Sequence, residues 1–168
     1  MEEIQNIDEL FDKGITLRKT GNPKESILYF NKVLDINPNH LEALLNKGHA
    51  LGRIGRYNDA LVWYDRVLKI DPNNVLAFIN MGLCYHYLKE YEKAVLFYEK
   101  ILEKHPDHAN AIYHKACSKA LLNKIDESIE LLGQAIKLDL TFRIKARGDI
   151  DFDKIRNNDR FMKLVDRW

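Results

Sequence analysis

Val75 to Pro106 reads VLAFINMGLCYHYLKEYEKAVLFYEKILEKHP. Its apolar residues recur at helical spacing in two runs separated by a short polar break, the pattern of two amphipathic helices joined by a tight turn. Moved back by 34 residues the same pattern covers Leu41 to Pro72, and moved back again it covers Ile7 to Pro38. Gly14, Gly48 and Gly82 share one column of this register, and Pro38, Pro72 and Pro106 share another. A fourth, weaker copy starts at Ala109, with Ala116 in the glycine column and Leu140 in the proline column. A fixed period of this length signals stacked helical repeats, none of which can bury its apolar face alone.

Bulk properties narrow the class. The 168 residues suit one domain or one array of small units. A formal net charge of +1 gives no reason to expect nucleic acid or an anionic membrane as partner. The N-terminal MEEIQNIDEL has no basic region followed by an apolar run, so no signal peptide is expected, and no apolar run approaches bilayer length. Cys84 and Cys117 lack CxxC spacing and read as free thiols of a cytoplasmic protein.

Along each copy the order is helix A, turn, helix B, proline break. Gly21, Gly55 and Asn123 suit the left-handed residue that ends helix A. Lys89 holds that place in the third copy, at an expected cost of at most about 1 kcal/mol. Pro23 fits the first turn of helix B. Asn37-Pro38, Asp71-Pro72 and His105-Pro106 end each helix B, and Asn39, Asn73 and Asp107 are expected to cap the next helix A. The small columns (Gly14, Gly48, Gly82 and Ala116; Ser26, Ala60, Ala94 and Ser128) imply close approach within each helix pair. The period fails near Phe142, and 143–168 is expected to cap the last repeat. Phe161, Leu164, Val165 and Trp168 form one stripe of a final short helix. The chain reads as a single domain, 1–168, with repeats at about 7–40, 41–74, 75–108 and a degenerate 109–142.

Phe78-x-x-Met81-Gly82-x-x-Tyr85, then Ala94-x-x-x-Tyr98 and Pro106, resembles the tetratricopeptide repeat signature. Leu44, Gly48, Leu51, Ala60, Tyr64 and Pro72 repeat it nearly as well. The first copy carries Leu10, Gly14, Leu17, Ser26, Phe30 and Pro38, and the fourth departs from the pattern at Lys119 and Leu140. The resemblance implies an all-α, right-handed superhelix of antiparallel helix pairs whose A helices line a concave groove for a peptide or partner helix. By that analogy the groove is lined by Phe11, Ile15, Leu45, Asn46, His49, Ile79, Asn80, Leu83, His86, Tyr87, Tyr113, His114 and Cys117. Phe11, Ile15, Leu83 and Tyr113 suit a core position equally well. Asn46 and Asn80 could hold a ligand's backbone or a neighbouring helix.

Tetratricopeptide cochaperones grip a carboxylate terminus with lysine, asparagine and arginine at set columns. Here those columns hold Phe11, Ile15, Asn46, Leu76 and Asn80, of which Asn46 alone fits, so chaperone-tail binding is not expected. The expected groove is apolar and aromatic, with Asp8, Asp12 and Glu42 at one margin and Arg18, Lys19 and Arg53 at the other. On the B helices, Leu28, Val62 and Leu96 share a column where the family usually carries charge. If exposed they form a convex ridge suited to self-association. Tyr29, Trp63 and Phe97 beside them are expected to pack between repeats.

Chemistry finds little support. No GxxxxGK, HExxH or GxSxG occurs. His114 and Cys117 stand at i, i+3 but form no recognised motif. His105-x-x-His108 lacks a third metal ligand nearby. Glu99, Glu103, Asp126 and Glu130 read as solvated helix faces. The expectation is a non-enzymatic protein-interaction adaptor with no cofactor and no metal. Its alternatives are a self-associating scaffold or a regulatory subunit of a larger complex.

Overall fold

The computed structural model describes residues 6–166, so the expectation for Trp168 lies outside the described residues. Two compact units divide the chain, one running to Cys84 and the other from Tyr85.

In the first unit, α1 (Ile7–Lys19) pairs with α2 (Pro23–Ile36), and α3 (Leu41–Arg53) pairs with α4 (Tyr57–Ile70). Helix α5 (Val75–Tyr87) begins here, and its last three residues belong to the second unit. The left-handed residues Gly21 and Gly55 reverse the chain inside the two pairs, at φ 85° and 77°. Pro23 opens α2, where its missing N–H costs nothing. Phe30, Val33, Leu44, Tyr64 and Val67 are buried between the helices, each such side chain contributing about 1.5–3 kcal/mol. The glycine column has a direct steric reason. A Cβ on Gly14 would lie 2.7 Å from the Phe30 ring, and one on Gly48 would lie 2.6 Å from the Tyr64 ring.

Helix A starts one residue later than the sequence suggests. Asn39 and Asn73 are not the caps, and neither is Asp107. The acceptors are Nδ1 of His40 and His108, toward the Ala43 and Ala111 N–H groups at 3.3 and 3.2 Å, and Oδ1 of Asn74 toward Ala77 N–H at 3.0 Å. The reason is the turn between repeats. The N–H of His40, Asn74 and His108 donates to the carbonyl of Asn37, Asp71 and His105, closing a four-residue turn before the helix can begin. Asn37 and Asp71 accept in addition from the N–H groups of Asn39 and Asn73, so the Asx-Pro dipeptide both ends helix B and folds the turn.

In the second unit, α6 (Tyr91–Leu102) is followed by the pair α7 (Ala109–Leu121) and α8 (Ile125–Leu138). The turn before α6 is made by Lys89 at φ 62°, and the turn before α8 by Asn123 at φ 60°. The tail then forms α9 (Thr141–Gly148), a 3-10 helix (Ile150–Ile155) and α10 (Asp159–Asp166). Phe142, Ala146, Phe152, Ile155, Phe161 and Val165 of the tail share one core with Ile112, Tyr113, Leu132 and Ile136 of the last repeat. Asp126 and Glu130, read from sequence as solvated, face Arg160 of α10 at 2.5 and 3.9 Å. Glu99 pairs with Lys115 at 2.9 Å. Asp126 and Glu130 are solvent-exposed, as the sequence reading has them, and there meet a cation of the tail that helical spacing alone does not reveal, as Glu99 meets one of the neighbouring helix.

Candidate functional site

The A-helix face of the first unit carries half-buried side chains from three helices: Phe11 and Ile15, then Leu45, Asn46 and His49, then Ile79, Asn80 and Leu83. Phe11 lies against the rings of Phe30 and His40, with centroids 6.0 and 5.0 Å away, so it also braces the junction of α2 and α3. Asn46 and Asn80 do not reach a neighbouring helix through their amide N–H₂ groups. Each donates to the carbonyl one turn back on its own helix, Glu42 and Leu76, at 2.7 and 2.8 Å. The amide is thereby oriented, and no donor to its Oδ1 occurs among the described residues.

At the C-terminal end of this face, His49 is flanked by Arg53, one turn on, and by Arg18 of α1. Burial, and then the charges of Arg18 and Arg53, push the His49 imidazole below its ordinary value. Nδ1 of His49 and Nε of Arg18 are both buried without a hydrogen-bond partner. No acidic side chain pairs with Arg18 or Arg53 among the described residues.

The second unit treats the same face differently. Tyr113 is 0% and Cys117 1% exposed, so neither lines an open groove; this corrects the sequence expectation for both. The tail covers them. Tyr113 Oη donates to Asp149 Oδ2 at 2.7 Å, and its ring lies 4.6 Å from Phe142 and 6.0 Å from Phe152. Cys117 Sγ lies 3.9 Å from the same Asp149 oxygen. His86 Nε2 meets Asp151 Oδ2 at 3.1 Å while its Nδ1 faces Ser118 Oγ at 3.3 Å. His114 stands between Tyr98 and Tyr113, at 5.9 and 5.6 Å. Tyr87 is exposed.

Protonation follows from this packing. Burial, followed by the charges of Lys145 and His86, pushes His114 down to about 3, so its ring is neutral. Burial would raise the Asp151 carboxyl, yet the hydrogen bond and charge of His86 outweigh it and hold the group below its ordinary value. Burial, reinforced by Asp149 and Asp151, pushes the Cys117 thiol well up. Cys117, Asp149 and Asp151 place their donor atoms within 4.8 Å of one another, the grouping among the described residues that could hold a metal. Their acceptors already take the protons of Tyr113, Cys117 and His86, and a thiol this reluctant to ionise is a poor ligand. The cluster acts as a hydrogen-bonded latch for the tail. Asp149 and Asp151 were not legible as site residues, because they lie beyond the last repeat, where no register places them.

On the B helices, Leu28, Val62 and Leu96 are 59%, 58% and 57% exposed. Tyr29, Trp63 and Phe97 are half-buried beneath cations: Lys13 over Tyr29 at 5.0 Å, Lys47 over Trp63 at 3.3 Å and Lys100 over Phe97 at 5.1 Å.

Tetratricopeptide repeat models match residues 7–40, 41–74, 75–108 and 109–142. The chain belongs to the tetratricopeptide repeat family. Tetratricopeptide domains typically serve protein–protein interaction. No curated protein matches the chain. Among solved structures it is similar to MamA from Desulfovibrio magneticus, residues 41 to the end, at 22% identity and TM-score 0.78 over 95% of this chain and 93% of that one. A thermophilic tetratricopeptide protein of Thermus thermophilus is similar at 18% identity and TM-score 0.78, over 95% of this chain and 88% of the other. A tetratricopeptide protein of Parabacteroides merdae aligns at 21% identity and TM-score 0.76, over 94% of this chain and 63% of the other. These likenesses show the fold, an all-α tetratricopeptide solenoid. Among the described residues no helix is long and apolar enough to cross a membrane.

Proposed function

We propose that this tetratricopeptide chain works as a single array and a non-enzymatic adaptor in the cytoplasm. Its A-helix face in the first unit holds a peptide or helix of a partner protein. The observation that carries this reading is the pair Asn46 and Asn80, each amide fixed by its own helix with Oδ1 left to accept, beside half-buried Leu45, Ile79 and Leu83. Oriented amides among apolar side chains provide backbone recognition and anchoring on one surface. The test is affinity capture with mass spectrometry, run side by side on the native chain, Leu45→Asp and Ile79→Asp. A partner held by the native chain and lost from both folded variants supports the adaptor. A partner set indifferent to both substitutions refutes it.

A second reading rests on exposed apolar side chains of the B helices: Leu28 and Val62 in the first unit and, taken by itself, Leu96 in the second would serve self-association. Light scattering coupled to size exclusion would show a concentration-dependent oligomer abolished by Val62→Glu. A monomer at high concentration removes this reading.

A further inference from the structure

The repeat register sets two pairs of residues in correspondence. Arg18 and His49 of the first unit stand two periods before His86 and Cys117 of the second. In the second unit that pair is met by acids: His86 by Asp151 at 3.1 Å, and Cys117 by Asp149 at 3.9 Å, both delivered by the chain's own tail. The first unit has the more cationic version of the pair, with Arg53 added one helical turn beyond His49, and no acid reaches either arginine among the described residues. Nε of Arg18 and Nδ1 of His49 are buried and unpartnered. Buried polar groups left this way cost free energy that an incoming counter-charge offsets. Charge complementarity, together with the acidic occupant of the equivalent positions, fixes the kind of ligand.

We propose that the A-helix face of the first unit binds an acidic segment of a partner protein, one carboxylate lying between Arg18 and Arg53 beside His49 and an apolar side chain following it onto Ile15, Leu45 and Leu83. This deepens the adaptor reading and rests on it. The charged columns used, Arg18, His49 and Arg53, are not those of the cochaperone clamp, which here hold Phe11, Ile15, Asn46, Leu76 and Asn80. The expected motif is two acids separated by one residue and followed by an aromatic, as in Asp149-Ile-Asp151-Phe152 of the tail.

The probe is an acetylated, amidated peptide copying residues 148–153, Gly-Asp-Ile-Asp-Phe-Asp, titrated into the ¹⁵N-labelled full chain. A control peptide carries asparagine at every aspartate. The acidic peptide is expected to shift amides around Arg18, His49 and Arg53, with affinity falling about tenfold in Arg18→Gln/Arg53→Gln and falling again as salt rises. Leu45→Asp, which adds a negative charge beside the same face, should weaken it as well. Equal binding of the asparagine peptide, shifts confined to residues after Cys84, an unchanged affinity in the double variant, or no shift at about 1 mM peptide overturns the proposal. If the affinity-captured partner is lost from Leu45→Asp and Ile79→Asp yet retained by Arg18→Gln/Arg53→Gln, the adaptor stands and the acidic ligand falls.

Discussion

The A-helix columns of the two units meet opposite fates. In the second, Tyr113 and Cys117 are sealed under a tail whose two aspartates reach His86, Tyr113 and Cys117. In the first, Leu45, Ile79 and Leu83 stay half-exposed beside amides and guanidiniums that find no acid among the described residues. A stacked array must end somewhere, and its last repeat has an apolar side to cover. Here the cover also buries Tyr113 and Cys117, so the A-helix face left open for the proposed recognition is that of the first two repeats and the start of the third.

That contrast can be broken most severely at Phe152. It is fully buried between Tyr113 and Phe161, and Phe152→Ala should cost about 3–5 kcal/mol. Hydrogen exchange should show protection lost in α7 to α10 and retained in α1 to α4; uniform loss would mean the tail stabilises both units alike. Acid gives the next largest effect. His114 has a folded value of about 3, below its ordinary 6.5, so unfolding takes up a proton between them. Its contribution is therefore complete above pH 6.5 and drains away as pH falls toward 3. Asp151, also held low, adds a loss below its ordinary 3.8. Thermal midpoints measured across this range should fall, and His114→Phe should flatten the upper part of the slope. An unchanged slope would exclude His114 as its source.

In the first unit, Gly48→Val drives a side chain into the Tyr64 ring and should cost about 1–3 kcal/mol by denaturant unfolding. A neutral result would mean that α3 and α4 can separate freely. Smallest is Lys89→Gly, which relieves a left-handed backbone at φ 62° and should add no more than about 1 kcal/mol. A loss on this change would show that the lysine side chain makes a compensating contact.

The repeats were legible because a 34-residue period marks each helix from α1 to α8, and even the strained turn could be placed: Lys89 stands in the column of Gly21 and Gly55 and shares their left-handed backbone. The caps were displaced by one because an Asx-Pro turn consumes Asn39 and Asn73 before helix A can start. The covering of Tyr113 and Cys117 was beyond reach for a different reason. It depends on where an aperiodic tail crosses α7, and residues past the last repeat carry no register from which that path follows.

The shared core of the last repeat and the tail bears on how the chain may be cut. A fragment trimmed at the end of the fourth repeat, near Leu140, would strip the lid from Tyr113, Ile136 and Leu132 and leave a sticky apolar surface open to solvent. A stable expression fragment containing that repeat has to run at least through Val165. Limited proteolysis that nicks the α8–α9 junction should precipitate the remainder and not release a soluble piece.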